Sequence, residues 1–165
     1  MKFVAIKRSR QLKPLSSEHH QALLVSFQLK KGLAGHGDSA GAPKDMPGLL
    51  NLARRFEEAV FRPHARAEEE LLGRHLPPVD MKRLVGEHAE LTRLLEVARQ
   101  AREAEARHSL VAFAELLERH VRWEERELFG ACEKAMAVED LAMVGTELEK
   151  RLVLQRAEGK LARRA

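Results

Sequence analysis

Two histidine–glutamate pairs carry the side chains of this sequence that are best suited to chemistry. His120 and Glu124 are four residues apart, and so are His64 and Glu68. On an α-helix this spacing places both side chains of a pair on one face, with β-carbons roughly 5–6 Å apart. Imidazole and carboxylate groups both bind metal ions. Each pair could therefore supply two metal ligands from one turn of helix.

Both pairs stand on the apolar stripe of a predicted helix. The first stripe consists of Leu49, Ala53, Phe56, Val60, His64, Ala67, Glu68 and Leu71, and the second of Leu110, Phe113, Leu117, His120, Glu124, Leu128 and Ala131. Apolar residues that recur three and four apart form the core-facing side of a helix. Because burying an unpartnered carboxylate is costly, a cation must compensate each glutamate, and the imidazole beside it points to a metal ion.

Two more predicted helices each add one histidine to the core side. These are His88 on the third helix and either His20 or His19 on the first. Four imidazoles and two carboxylates exceed the four ligands of a tetrahedral zinc ion and suit two iron or manganese ions bridged by the carboxylates. We predict a dinuclear centre with two non-haem iron ions, with manganese or zinc as alternatives.

The rest of the chain must position these residues, and its composition favours helices. Of 165 residues, 44% are apolar, 33% are charged and only 4% are aromatic, with no tyrosine. The periodicity predicts helices over about 16–33, 47–74 and 109–137, and a third helix from about 78 that ends in the charged stretch 99–107, with Ser16 or Ser17 capping the first and Pro63 bending the second. We expect an all-α fold, an up-down antiparallel four-helix bundle with an additional C-terminal amphipathic helix.

Three regions follow from this division. Residues 1–14 form a basic lead-in, residues 15–137 the four-helix metal-binding bundle, and residues 138–165 a C-terminal helix with a basic tail. The apolar side of the last helix consists of Val138, Leu141, Val144, Leu148 and Leu152. That side could cap the bundle, exchange with a partner chain or form a homodimer, and the sequence does not choose among these.

Charge and cysteine content narrow the partners. The net charge of +4 comes from 29 basic and 25 acidic residues, so the surface is mixed and does not favour nucleic acid. Cys132 is the only cysteine, which excludes an intramolecular disulfide and fits a reducing compartment. No signal peptide and no run of about 18 apolar residues can be identified. We therefore predict a cytoplasmic protein without a membrane partner.

The order His, His-x-x-x-Glu, His, His-x-x-x-Glu resembles that of the hemerythrin-like, or HHE cation-binding, domains over roughly residues 12 to 135. The resemblance implies a four-helix bundle with a non-haem di-iron site that binds or senses dioxygen, nitric oxide or iron. Carried over by position, the implied metal ligands are His20, His64, Glu68, His88, His120 and Glu124. We prefer His20 to His19 because Leu23 follows His20 at the spacing at which Leu91 follows His88.

One position departs from the oxygen-carrying hemerythrins. Those proteins have a second histidine one turn after the ligand of the third helix, and here that position is Thr92. The site is then one imidazole short, and a further carboxylate such as Glu69 or Glu125, or water, would complete it. This departure argues against reversible oxygen carriage.

The neighbouring residues are expected to support the site without binding metal. Trp123 and Phe129 should pack around it, and Arg66 and Arg122 should point outward. The remaining histidines fall at predicted loops or helix ends and should be solvated; these are His36, His75 and His108.

Two other functions remain open from the sequence. The chain could be a di-iron oxidase or peroxidase, but ferritin-like sites use Glu-x-x-His pairs, whereas the stripes here carry His-x-x-x-Glu. It could also be a metal-free helical interaction module. We favour a binding or sensing protein over an enzyme.

Overall fold

The computed structural model describes residues 9–154, apart from the side chain of Ser39. All regular structure in this range is helical, and no strand occurs in it. The prediction of an all-α fold is confirmed. The five helices, with π-helical stretches given as separate segments, are α1 (Lys13–Leu33), α2 (Met46–Phe56, Glu57–Phe61 and Arg62–Leu71), α3 (Pro78–Gln100), α4 (Glu103–Trp123, Glu124–Leu128 and Phe129–Ala135) and α5 (Val138–Leu148 and Glu149–Leu154).

Two helices begin earlier than the sequence predicts. Helix α1 begins at Lys13, with Pro14 in its first turn, where the missing N–H of proline costs no hydrogen bond. The predicted serine cap is therefore wrong. Helix α4 begins at Glu103, not near Ser109, because two acidic residues in its first turn favour a helix start there. Ser109 instead donates a 2.7 Å hydrogen bond to the Leu94 carbonyl and ties α4 to α3.

The interruption predicted at Pro63 takes the form of a π-helical segment. A proline inside a helix has no N–H to donate and its ring clashes with the carbonyl four residues back. Helix α2 accommodates Pro63 by widening over Glu57–Phe61, where the Arg62 N–H donates to the Glu57 carbonyl five residues back. Such π-helical turns are frequent at functional sites, and this one ends just before His64.

The helices pack in an arrangement that is compatible with the predicted bundle. Helices α1 and α3 both run along α4, and α2 contacts α1 and α3. None of the helices within residues 9–154 is both long and apolar enough to cross a membrane.

Helix α5 covers one end of the other four. Val144, Leu148 and Leu152 are buried against them, whereas Val138, expected on the same apolar side, is 80% exposed. Gly145 permits the close approach, because a β-carbon there would lie 2.8 Å from the Gln11 side chain. In this structure α5 thus caps the end of the bundle. The predicted basic tail at 160–165 lies outside the described residues.

Two apolar clusters fill the interior, one on each side of a polar layer. Members of the first include Val25, Leu29, Leu49, Phe56, Leu95, Leu110, Phe113 and Leu117. Members of the second include Leu15, Leu72, Leu84, Trp123, Leu128, Phe129 and Leu148. The polar layer between them holds the buried histidines and glutamates.

Candidate metal centre

Four histidines and two glutamates from four different helices meet in the polar layer. They are His19 of α1, His64 and Glu68 of α2, His88 of α3, and His120 and Glu124 of α4. The histidines are at most 7% exposed and both glutamates are fully buried. The three- and four-residue helical period explains the convergence, because each residue stands where an apolar core residue would otherwise point inward.

The six side chains form two groups of four potential ligands, and both glutamates belong to both groups. One group adds His19 and His64, and the other adds His88 and His120. In each group the ligand atoms lie within 4.8 Å of one another. The structure therefore has two neighbouring positions for a cation, joined by two shared carboxylates.

Each shared carboxylate offers one oxygen to each group. Glu68 Oε1 lies 3.0 Å from His64 Nε2, and its Oε2 lies 3.4 Å from His88 Nε2. Glu124 Oε2 lies 3.1 Å from His19 Nε2, and its Oε1 lies 3.0 Å from His120 Nε2. The two carboxylates thus bridge the two histidine pairs.

A second set of glutamates fixes the far side of every imidazole. The Nδ1 atoms face carboxylate oxygens at 2.7–2.9 Å in four pairs, namely His19 with Glu125, His64 with Glu18, His88 with Glu69, and His120 with Glu87. A carboxylate acceptor at Nδ1 keeps the proton there and turns Nε2 toward the centre with its lone pair available. All four imidazoles are therefore oriented as metal ligands.

These outer glutamates come from a local sequence repeat. Helices α1 and α3 each carry Glu-His, and α2 and α4 each carry His-x-x-x-Glu-Glu. The carboxylate beside a ligand on one helix reaches the imidazole of the next helix, so the four contacts run around the bundle from α1 to α2, α3, α4 and back to α1. One repeated pattern thus builds both the inner cluster and its support.

Without a cation the inner contacts are unfavourable. If each Nδ1 carries the proton of a neutral imidazole, Nε2 is an acceptor that faces carboxylate oxygens and, between His19 and His64, another Nε2 at 3.1 Å. In the described part of the chain, both oxygens of Glu68, both oxygens of Glu124 and Nε2 of His88 lack a hydrogen-bond partner. Buried polar atoms are rarely left in this state. Either protons or metal ions must compensate the carboxylates.

The pKa values show how protons would do so. Burial lowers the pKa of His120, but the Glu124 and Glu87 carboxylates outweigh it and raise that pKa to about 10. The pKa values of His64 and His19 are raised in the same way, against burial, by Glu68 and Glu124. Burial raises the pKa of Glu124, and the contacts with His120 and His19 bring it well below its usual range. The cluster therefore holds charged carboxylates that need positive partners.

The donor set fits two divalent metal ions. Ligand atoms that share a tetrahedral or octahedral ion at about 2.1 Å lie roughly 3.0–3.4 Å apart, as the inner contacts do. Each position receives two imidazole nitrogens and two carboxylate oxygens. Helix-borne carboxylates and histidines of this kind hold di-iron and di-manganese pairs in other bundles.

The structure brings five of the six predicted residues together and replaces the sixth. His20 is exposed, whereas His19 is 3% exposed and inside the cluster. The preference for His20 is therefore wrong, because the register of the following leucine did not identify the inward face. The glutamate before the histidine is the signal that could have found it, since Glu18-His19 repeats Glu87-His88.

The other predicted positions are placed as follows. Glu69 and Glu125 contact the imidazole Nδ1 atoms and do not join the inner cluster, so they do not replace a missing ligand in this structure. Thr92 is exposed, and its hydroxyl donates a hydrogen bond to the His88 carbonyl. The Thr92 position therefore does not face the cluster. Arg66 and Arg122 point outward, as predicted.

The aromatic neighbours also pack as predicted. The ring of Phe129 stacks on His19 with centroids 5.3 Å apart, and Trp123 lies 6.1 Å from His120. Of the three histidines expected in solvent, His36 and His108 are exposed, and His75 is partly exposed.

A small cavity lies against the inner cluster. It measures about 10 Å³, and its lining includes His19, His64 and His120. Its other walls are mainly apolar side chains of α1, α2 and α4. This is room for about one water molecule, so the centre has space beside it for a ligand of only a few atoms.

Comparison of the chain with models of protein families, with curated proteins and with solved structures finds no match. The functional conclusion therefore depends on the chemistry of the centre.

Proposed function

We propose that the chain is a hemerythrin-like metal protein that holds two iron ions and binds or senses a small ligand such as dioxygen or nitric oxide. The observation that supports it most is the sharing of Glu68 and Glu124 between two histidine pairs. The metal ligands would be His19, His64, Glu68, His88, His120 and Glu124. Bound iron would supply coordination positions and electrons for a diatomic ligand.

The protein's own residues would bind, orient and shield the ions. The inner glutamates neutralise cationic charge, and the outer glutamates hold the imidazole protons at Nδ1. The two apolar clusters exclude bulk water from the layer between them. Manganese and zinc use the same ligand types, but the pairing of two positions through shared carboxylates, with nitrogen and oxygen ligands and no thiolate, favours iron or manganese over a structural zinc site.

The cavity favours a binding or sensing protein over an oxidase or peroxidase with an organic substrate. A space for about one water molecule admits a diatomic ligand. It does not admit a substrate of drug or metabolite size, for which binding sites are typically about 300–1,000 Å³. A metal-free helical module is the remaining alternative, with protonated histidines in place of the ions.

Anaerobic reconstitution with iron(II), manganese(II) or zinc(II), followed by gel filtration and elemental analysis, tests the proposal. We expect two iron ions per chain and a charge-transfer absorption that changes on exposure to dioxygen or nitric oxide. The variant with both His64→Ala and His120→Ala should lose this absorption. A wild-type chain that binds none of the three metals would support the metal-free module, and steady turnover of peroxide would support the enzyme.

A further inference from the structure

The inner cavity has a thin wall on one side. An open cleft of about 760 Å³ lies at the surface between α1 and α2, and its lining includes Gln21, Gln28, Asn51 and Arg55. Phe56 and Val60 line both the cleft and the cavity. Among residues 9–154, these two side chains are the ones that border both spaces, and they lie between the solvent-filled cleft and the centre.

The α4 wall of the cavity does not border the cleft. Leu117 and Val121 of α4 line the cavity without lining the cleft, and both are buried. Phe56 and Val60 are 5% and 8% exposed. Because the cavity borders the cleft only at Phe56 and Val60, the shortest path from solvent to the centre passes these α2 side chains.

We propose that small molecules reach the centre through the partition formed by Phe56 and Val60, and that Val60 limits their size. This inference rests on the proposed function. Val60 lies in the π-helical segment, four residues before His64, so that a molecule passing it arrives at the metal ligands. A β-branched side chain is restricted in its rotamers, so passage must wait for a local movement of the helix. The cavity lining combines apolar side chains with the carboxylates of Glu18 and Glu124, which repel anions, so neutral diatomic molecules are favoured over anions.

A matched pair of valines gives the test. Val60→Ala and Val121→Ala remove the same atoms from the cavity lining, but only the first thins the partition. We expect Val60→Ala to raise the rate constant for nitric oxide binding to the iron(II)-loaded protein about tenfold, and Val121→Ala to change it by less than about twofold. Stopped-flow absorption measures both. Val60→Ile, which adds one methylene, should slow binding and replaces Val60→Ala if that variant does not fold.

Equal effects of the two alanine variants, or no effect of either Val60 variant, would overturn this route. If the wild-type protein binds iron and nitric oxide but the Val60 variants bind nitric oxide at the same rate, only the route is contradicted. A wild-type protein that binds no iron contradicts the proposed function.

The metal-free protein provides a second, independent measurement. Val121→Cys places a thiol in the cavity, and mass spectrometry gives its rate of oxidation by hydrogen peroxide, a molecule of two oxygen atoms, with the wild-type chain and its Cys132 as background. Adding Val60→Ala should raise this rate about tenfold. Adding Val144→Ala, which truncates a valine in the other apolar cluster, measures the contribution of general destabilisation. Equal acceleration by both additions would overturn the route even if no metal binds.

Discussion

The adjacent histidines of α1 offer the sharpest test of the centre. His19 is 3% exposed and His20 is exposed on the same helix. His19→Ala and His20→Ala therefore differ only in the side of the helix from which the imidazole is removed. We expect the first to damage the centre and the second to leave it unchanged.

The magnitude follows from the contacts of His19. Its ring stacks on Phe129, its Nδ1 lies 2.7 Å from Glu125 Oε1, and its Nε2 lies 3.1 Å from Glu124 Oε2. Removing the ring leaves a cavity and a buried Glu124 carboxylate that keeps His120 but loses one imidazole partner, which together cost about 2–4 kcal/mol of unfolding free energy in the metal-free protein. For a chain of this size that lowers the melting temperature by roughly 5–15 °C. An exposed substitution such as His20→Ala changes stability by no more than about 0.5 kcal/mol.

Metal binding should separate the two variants further. Losing an outer-sphere carboxylate typically weakens metal affinity about 10–100-fold, and losing a ligand weakens it more. We expect His19→Ala to retain about one iron ion per chain and His20→Ala to retain the wild-type content. Elemental analysis after gel filtration and chemical denaturation measure the two effects. Loss of metal in His20→Ala with retention in His19→Ala would refute the assignment of the inward face.

Three further outcomes are expected. Glu87→Gln should weaken metal affinity about 10–100-fold by removing the charged acceptor of His120, while Glu90→Gln, at a glutamate of the same helix that pairs with Arg93, should not; equal titration curves would contradict this. The metal-free protein should lose stability between pH 6.5 and about 10, the raised pKa of His120, by up to about 1.4 kcal/mol per pH unit for each such histidine. The metal-loaded protein should not show this loss. A melting temperature of the metal-free protein that does not change with pH would exclude protonated imidazoles. Glu57→Gln should cost about 1–3 kcal/mol of unfolding free energy, and Glu58→Gln less than about 0.5, without metal loss in either; denaturation by urea measures both.

The pH prediction has a definite sign. A histidine whose folded pKa exceeds its unfolded value stabilises the fold fully below the unfolded pKa, and this contribution is lost as the pH rises through the folded pKa. Metal ions compete with the same protons, so metal affinity should instead rise with pH. Opposite slopes for metal-free stability and metal affinity are therefore expected over the same interval.

Glu57 belongs to a cluster of ion pairs outside the centre. Glu57 is fully buried in the π-helical segment, and its two oxygens accept hydrogen bonds from Arg62 and Arg99. Arg99 ties α2 to the last turn of α3. Because both arginines are partly exposed, water weakens these ion pairs, and the expected loss is smaller than for a fully buried pair.

The helices could largely be predicted from the sequence, and their ends could not. Periodicity identifies the inward face over many residues, so a single polar exception does not hide it. A helix start depends on one or two residues, and the charged stretch before Ser109 fits a helix end as well as a helix start. The structure resolves it as the first turn of α4, with Arg102 in an extended conformation before it.

The inner cluster could be predicted because its residues interrupt an apolar stripe. The outer carboxylates could not be distinguished in the same way, since Glu69, Glu87 and Glu125 are partly exposed and resemble ordinary surface residues in the sequence. Their function depends on contacts between helices, such as that of Glu87 with His120. In the sequence, the one sign of an outer glutamate is that it stands next to a ligand residue, and this arrangement occurs four times.

The raised histidine pKa values bear on how metal could enter and leave. In a zinc finger the metal supplies the folding free energy, and its removal unfolds the chain. Here the centre lies between two apolar clusters that contain none of the ligand residues, and protons on the imidazoles would compensate the carboxylates when no ion is bound. Each proposed ion would then replace protons in a layer that is already formed, and we expect metal exchange to require local movement and not unfolding. A bound metal adds stability according to its concentration and affinity, and the metal-free protein should retain its helical circular dichroism at pH 6, where its affinity for iron is weaker than at higher pH.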